Sequence, residues 1–395
     1  MQYSKELKII EKCRNRLVVL LKIVGLFPIV NASLFYKILP FLVGFLLASI
    51  MAGCMNFVYI NRNNLMVVLR ACGIIFALLT IIIKIICFIK SREKLLKLDN
   101  TLTKLINENI NKDKLSSVML SPILFYANNI TMPILISGYL ISVTLYSQSA
   151  LFMIRQLKNN AESRIYILPY PTAYPYHIEG GSLIWALHWT WETLGSFILI
   201  TVGCTTDNLF GYYTINIVAQ FRVLSYEVQY TITENYDNNK MSQYHKYIVA
   251  KHHEIVECCE LLEYINGPIV LVMTISTALI LCTLIFQVRL METITLGQFA
   301  YLGVYIYYKL MQAFLYAWSG EEIKISSEAF QIAVYNSSWE NNNNKSNSTF
   351  INMLLAQKCM SLKACGLTEI SAEMFTKIIN TTMSYFFLLQ TINQK

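Results

Sequence analysis

Charge is scarce in this chain. Of its 395 residues only 14% are Asp, Glu, Lys or Arg, while 55% are hydrophobic. Soluble domains carry about 25% charged residues, so water is excluded as the solvent for most of the surface. The ten cysteines, at 13, 54, 72, 87, 204, 258, 259, 282, 359 and 365, contain no CxxC pair for zinc and form no secreted disulfide framework. They read as small apolar packing residues. Also missing are a Gly-rich phosphate loop, a nucleophile elbow and a HExxH run, so no enzyme, cofactor or metal site is expected. "KHHEIVECCE" brings His253, Glu257 and Cys258 close together, but on a charged amphipathic helix that reads as a solvated face. The net charge of +8 sits at the ends of apolar blocks rather than in one patch, which excludes a nucleic-acid partner.

What is present is apolar sequence in blocks of about twenty residues, the helical length that an ~30 Å hydrocarbon core requires. The expected fold is an all-α membrane protein of seven transmembrane helices, with spans near 38–59, 65–89, 123–147, 183–206, 268–290, 297–318 and 373–392. Ahead of them, "LVVLLKIVGLFPIV" is too short to span, contains Lys22 and has no small-residue cleavage site. It reads as a helix lying on the membrane surface. The sixty residues after the fourth span are too amphipathic to cross again and read as that helix continuing out of the bilayer. Domain organisation follows as a membrane unit over 1–350 and a segment over 351–395 that holds a cytosolic anchor helix and the seventh span.

Basic residues set the orientation. They crowd the N-terminal segment, the 90–121 loop and the later inner loops, and only Arg62, Arg155, Lys158, Arg164, Arg289 and Lys395 fall outside. The N-terminus is therefore expected in the cytoplasm and the C-terminus outside. The Asn-x-Ser/Thr sequons agree, since none lies in an assigned outer loop, and "NSSWENNNNKSNST" becomes a flexible cytosolic loop. A rhodopsin-type receptor has the opposite orientation, and no DRY-like or NPxxY-like motif is present. A transporter would be expected to show repeat symmetry or paired broken spans, and neither is found.

The last span is unusual for a lipid-facing helix. Glu373, Lys377, Asn380, Ser384, Leu388 and Thr391 recur at steps of three or four and share one stripe. All but Leu388 are polar. Polar groups in hydrocarbon need partners, so the stripe either packs against other helices through hydroxyl bonds or faces water.

Two runs, "FLYAWSGEEIKISSEAFQIAVYNSSWE" (314–340) and "LLAQKCMSLKACGLTEISAEMFTKIINTTMSYFFLLQ" (354–390), resemble the insect odorant receptors. "LPYPTAYPYH" (168–177) and "AKHHEIVECCELLE" (250–263) support the resemblance. At Ala173 the family often has an aromatic residue, and no role is assigned there. The resemblance implies a ligand-gated, non-selective cation channel in which four subunits surround one pore and each contributes its last helix. The chain lacks the co-receptor's long insertion between spans four and five. It is therefore expected to be a ligand-tuning subunit in a heterotetramer with the odorant receptor co-receptor, in the dendritic membrane of olfactory neurons. The stripe then lines the pore, with Glu373 and Lys377 at the cytosolic mouth and neutral Asn380, Ser384 and Thr391 above. Leu388 becomes an apolar gate that closes by dewetting. The family's gate position, counted from "SYF", also falls on Leu388. For a small volatile odorant, the family places the pocket in the outer halves of spans two, three, four and six. The candidates there are Cys72, Gly73 and Phe76; Gly138, Tyr139 and Ser142; Trp185, His188, Trp189 and Glu192; and Tyr301, Tyr305 and Tyr308. Arg70 and Lys84 are expected to snorkel toward water. The alternative assignments are a gustatory receptor of the same superfamily and, with less support, a G-protein-coupled receptor.

Overall fold

The computed structural model describes residues 2–110, 113–158, 166–231, 238–290, 296–337, 354–355 and 357–393. Among these, the chain forms α1 (Gln2–Ile23), α2 (Leu34–Ile60), α3 (Leu65–Lys90), α4 (Arg92–Ile110), α5 (Asp113–Asn129), α6 (Thr131–Lys158), α7 (Leu183–Thr231), α8 (Asn238–Leu290) and α9 (Leu296–Asn336). A two-residue hairpin, β1 (Lys363–Ala364) and β2 (Thr368–Glu369), and α10 (Ala372–Asn393) follow. Helices α2, α3, α5 with α6, α7, α8, α9 and α10 supply the seven spans of a multi-pass membrane protein. Stretches of the first five of these are long and apolar enough to cross by length and composition alone. The more polar α9 and α10 complete the set. The Asn-rich run expected as a cytosolic loop lies, from residue 338 on, outside the described residues.

Local sequence sets the helix ends. Ser33 caps α2 by accepting from the Tyr36 amide at 3.3 Å, and Asn64 caps α3 by accepting from the Val67 amide at 3.4 Å. Gly25 stops α1 at φ 73°, with the Leu26 amide returning to the Leu21 carbonyl at 2.9 Å. The third span is two helices. Pro133 carries no amide hydrogen for the Asn129 carbonyl, so the ladder breaks between α5 and α6.

The helix α7 is the axis of the fold. Its 49 residues extend about 73 Å at 1.5 Å per residue, so it leaves the bilayer, as the amphipathic sequence after residue 206 requires. From Val202 to Phe221 every residue is buried, because α5, α6, α8 and α9 pack around it. On the inner side, α1 sets Ile10, Cys13, Leu17 and Leu21 against α5 and α7, leaving Lys8, Lys12 and Arg16 exposed. Arg14 holds Asp99 of α4 at 2.5 Å, and the Tyr213 hydroxyl of α7 donates to the same carboxylate at 3.1 Å. On the outer faces of the spans large apolar side chains are exposed, such as Phe41 and Phe45 on α2 and Ile136 and Val143 on α6, as lipid contact demands.

The segment before α10 departs from expectation. Where an anchor helix was expected, residues 357–371 run as extended chain and the hairpin. Cys365 and Gly366 both take positive φ, and the Leu367 amide donates to the Ala364 carbonyl at 3.0 Å, closing the turn. The hairpin rests on α8, where the Lys363 amide donates to Glu263 at 2.9 Å. On α9 a glycine is required. A Cβ at Gly320 would collide with the Ile370 carbonyl oxygen, whereas at Gly303 nothing lies within 4 Å.

Gly320→Ala is therefore expected to displace the strand leading into α10 and lower the yield of monodisperse protein several-fold, while Gly303→Ala leaves it unchanged. Size-exclusion profiles of the two variants in detergent make the comparison.

Candidate ligand cavity and pore helix

Three parallel spans, α3, α7 and α9, enclose a small cavity of 50 Å³ together with α6 and Tyr170 from the outer loop. On α9 it is lined by Tyr301, Tyr305, Tyr308, Lys309 and Gln312, which fall on one helical face by their spacing. The wall from α7 is Ser196, Leu199, Ile200 and Gly203; from α3 it is Ile74, Ala77, Thr80 and Ile81.

Below the cavity, on the cytosolic side, is a buried polar network. Lys84 of α3 and Asp207 of α7 form an ion pair with both side chains 0% exposed. Lys84 also donates to the Gly203 carbonyl at 3.3 Å. Asp207 accepts further bonds from Gln312 at 2.6 Å and from the Tyr316 hydroxyl at 2.6 Å. Lys309 completes the cluster by donating to the Gln312 carbonyl oxygen at 2.9 Å. Lys84 thus does not snorkel. It is fixed because a carboxylate one helix away neutralises it more effectively than a stretch toward the interface. Arg70, by contrast, is exposed.

The predicted pocket residues divide by depth. Tyr301, Tyr305 and Tyr308 line the cavity. Trp185, His188, Trp189 and Glu192 occupy the same stripe of α7 as the lining residues but sit further out. Trp185 packs edge-on against Tyr166 with ring centroids 5.2 Å apart, and Trp189 against Tyr146 at 6.3 Å. His188 bonds the Tyr176 hydroxyl at 2.6 Å, beside an outer groove of 780 Å³ between α2 and α7. Glu192 holds the roof: it accepts from the Tyr170 amide at 3.0 Å, the Thr172 hydroxyl at 2.6 Å and the Tyr174 hydroxyl at 3.1 Å. Ala173 lines the same groove, and its backbone bonds Gly53 and Asn56 of α2 at 3.0 and 2.9 Å.

The α3 and α6 candidates do not line the cavity. Gly73 faces Thr283 of α8, 3.3 Å from where a Cβ would stand. Cys72 and Phe76 are half-buried beside it. Gly138 is a close-packing position, since a Cβ there would collide with the Cys204 sulfur. Tyr139 bonds Thr201 at 2.9 Å and Ser142 bonds Ser196 at 3.3 Å, both tying α6 to α7. Sequence reasoning missed Asp207, Lys309, Gln312, Tyr316 and Tyr170. The signal was present for Asp207 and Lys309, which are charges within apolar stretches.

The seventh span packs by Met374, Ile378 and Thr382, each buried, with Phe375 against Phe314 and Phe386 against Phe286. All six stripe residues, Glu373, Lys377, Asn380, Ser384, Leu388 and Thr391, are exposed, and Leu388 is 54% exposed. The stripe therefore does not pack within its own chain. Ser384 donates to the Asn380 carbonyl at 2.9 Å and Thr391 to the Leu388 carbonyl at 2.7 Å, while Glu373 and Lys377 pair at 2.8 Å.

One helix connects the two regions. On α9, Tyr316 belongs to the polar network, Trp318 stacks on Tyr126 at 6.4 Å, and Gly320 admits Ile370. Glu321 accepts from the Ala372 amide at 3.1 Å, satisfying the start of α10, and Glu322 meets Arg222 at 3.3 Å. "YAWSGEE" is thus a set of contacts running from the cavity floor to the last helix.

A sequence model described as 7tm Odorant receptor matches residues 64–383. Odorant receptor 47a of Drosophila melanogaster is 24% identical over 238 residues, 57% of this chain and 59% of that one. Odorant receptor Or2 of Anopheles gambiae is 28% identical over 155 residues, 38% of each chain. The matches span less than two thirds of the length of these relatives. The olfactory receptor OR5 of Machilis hrabei, solved in complex with eugenol, superposes with a TM-score of 0.81 at 17% identity, covering 99% of this chain and 100% of that one.

Breaking the buried pair should be costly. Asp207→Asn leaves Lys84 without a counter-charge and is expected to destabilise the protein by about 3–5 kcal/mol. Pairing it with Lys84→Met should recover much of that loss in a thermal melt of the purified chain.

Proposed function

Since this chain belongs to the insect odorant receptor family, we propose that it is the ligand-tuning subunit of a heteromeric, odorant-gated, non-selective cation channel formed with the odorant receptor co-receptor. It would act in the dendritic membrane of olfactory neurons. Membership favours this reading over a gustatory receptor or a G-protein-coupled receptor. In this reading residues 1–350 sense the ligand and 351–395 carry the pore helix.

The observation that carries the reading is the exposed polar stripe of α10. A helix that packs by Met374, Ile378 and Thr382 and leaves hydroxyls, an amide and an ion pair on an outer face is suited to a shared aqueous path. Neutral hydroxyls and amides select weakly among cations, and a ring that includes Leu388 closes by dewetting.

The tyrosine-lined cavity is the ligand site in this proposal. It is mostly apolar with a few convergent polar groups, the character expected of such sites. At 50 Å³ it is smaller than the roughly 150 Å³ that holds benzene. A ligand therefore has to move side chains, and Tyr301 and Tyr305 are placed to give way. Their displacement would act on α9, whose inner half contacts the start of α10. That the Machilis hrabei relative takes eugenol fits a small aromatic or aliphatic guest.

Whole-cell recording tests the proposal. Odorant-evoked current should require co-expression of the co-receptor, and Tyr305→Ala should shift the dose-response curve by tenfold or more without loss of surface protein. Leu388→Ser should raise the resting current. Permeation effects should recur at 380, 384, 388 and 391 and be weak at 379 and 386. The reverse phase would mean that the stripe packs against protein.

A further inference from the structure

The charges around the cavity floor do not balance. Lys84 and Lys309 are two cations, and among the described residues Asp207 is the single carboxylate in contact with the cluster. Asp207 is fully engaged. One oxygen takes Lys84 and the Tyr316 hydroxyl, and the other takes the Gln312 amide. Because the Gln312 NH₂ is committed to Asp207, its carbonyl oxygen is turned toward Lys309. That neutral oxygen is the one hydrogen-bond acceptor Lys309 has among the described residues. Among the described residues no carboxylate stands within ion-pair distance of it, and its other cationic contact is the Tyr308 ring at 5.9 Å.

Lys309 is 4% exposed and lines the cavity. An ammonium carries three donors, so two remain for whatever enters. A buried, unpaired cation is costly within a bilayer. The hydroxyls of Tyr301 and Tyr305, on the same wall, also have no hydrogen-bond partner among the described residues. The rest of the lining is mostly apolar, with Ile74, Ala77, Ile81, Leu145, Leu199 and Ile200, and its hydroxyls are those of Thr80, Ser196, Tyr170 and Tyr308. One wall thus carries three donor groups, and the greater part of the others is apolar.

We propose that the ligand of this cavity is a small amphiphile with an anionic oxygen headgroup, a short-chain carboxylate, whose oxygens accept from Lys309 and whose hydrocarbon tail lies against Ile200 and the tyrosine rings. The carboxylate supplies the charge that the cluster lacks, giving two cations and two anions. The proposal rests on reading the cavity as the ligand site. It goes further by assigning headgroup recognition to Lys309.

Thermal unfolding of the full-length chain in lipid nanodiscs tests it, with straight-chain carboxylates of four to ten carbons compared with primary alcohols of equal length. At least one carboxylate is expected to raise the midpoint at a concentration tenfold or more below that required of its matched alcohol. Lys309→Met should abolish that preference, and Lys309→Arg should retain it. Tyr305→Ala should weaken acid and alcohol alike. Unliganded Lys309→Met should melt no lower than the wild type, because it removes an uncompensated charge. A lower midpoint would mean that Lys309 serves the Gln312 contact alone and would overturn the proposal. So would carboxylates that bind no better than alcohols, or that have no effect at any length. If ligands bind without the acid preference but are weakened by Tyr305→Ala, the cavity stands as the site and Lys309 loses its role. If Tyr305→Ala changes no ligand that binds, the cavity reading itself fails.

Discussion

A lysine and an aspartate, both wholly removed from solvent, hold the membrane core of this protein together. Neither charge is tolerable alone at that depth, and each stays only because the other is within reach. The constraint fixes more than one contact. Lys84 sets the rotation of α3, Asp207 that of α7, and the bonds from Gln312 and Tyr316 bring α9 into the same register. The cavity is the space that these three helices leave immediately outside their common polar joint. Its floor is polar and rigid, while its walls are apolar and its roof is an outer loop tied down by Glu192.

From that joint the continuous helix α9 passes into the cytosol and meets the start of the last span. The contacts are of different kinds, and each depends on a particular residue. Trp318 stacks on Tyr126, Gly320 allows backbone to approach backbone, and Glu321 satisfies an amide at the head of α10. Rigid helices joined in this way transmit displacement rather than absorb it. In the proposed gating, a shift of α9 at the cavity would reach α10 through these contacts.

Much of this was legible from the sequence, for identifiable reasons. Hydrophobic blocks and basic loop ends carry topology, because lipid imposes length and charge asymmetry on any chain that crosses it. The stripe of α10 could be read because helical spacing alone places Glu373, Asn380 and Leu388 together, and they are exposed together. The tyrosines of α9 were recognisable by the same spacing. The aromatic stripe of α7 was on the right face yet at the wrong depth. Trp185 and His188 end near the outer rim, while Ser196 and Ile200 reach the cavity. Periodicity gives the face of a helix but not the level at which its neighbours close in.

The sequence by itself determined the solvent, the number and direction of the crossings, the polar side of the last helix and the family. All of these follow from local spacing, composition or motif. Tertiary structure alone decided that Lys84 would be paired instead of snorkelling. It also decided that Gly138 would be a packing contact instead of pocket space, and that residues 363–369 would turn back as a hairpin against α8 and α9. These outcomes depend on which residue of another helix stands opposite. The partners Lys84 and Asp207 are separated by more than one hundred positions in the chain, and no local pattern encodes that meeting.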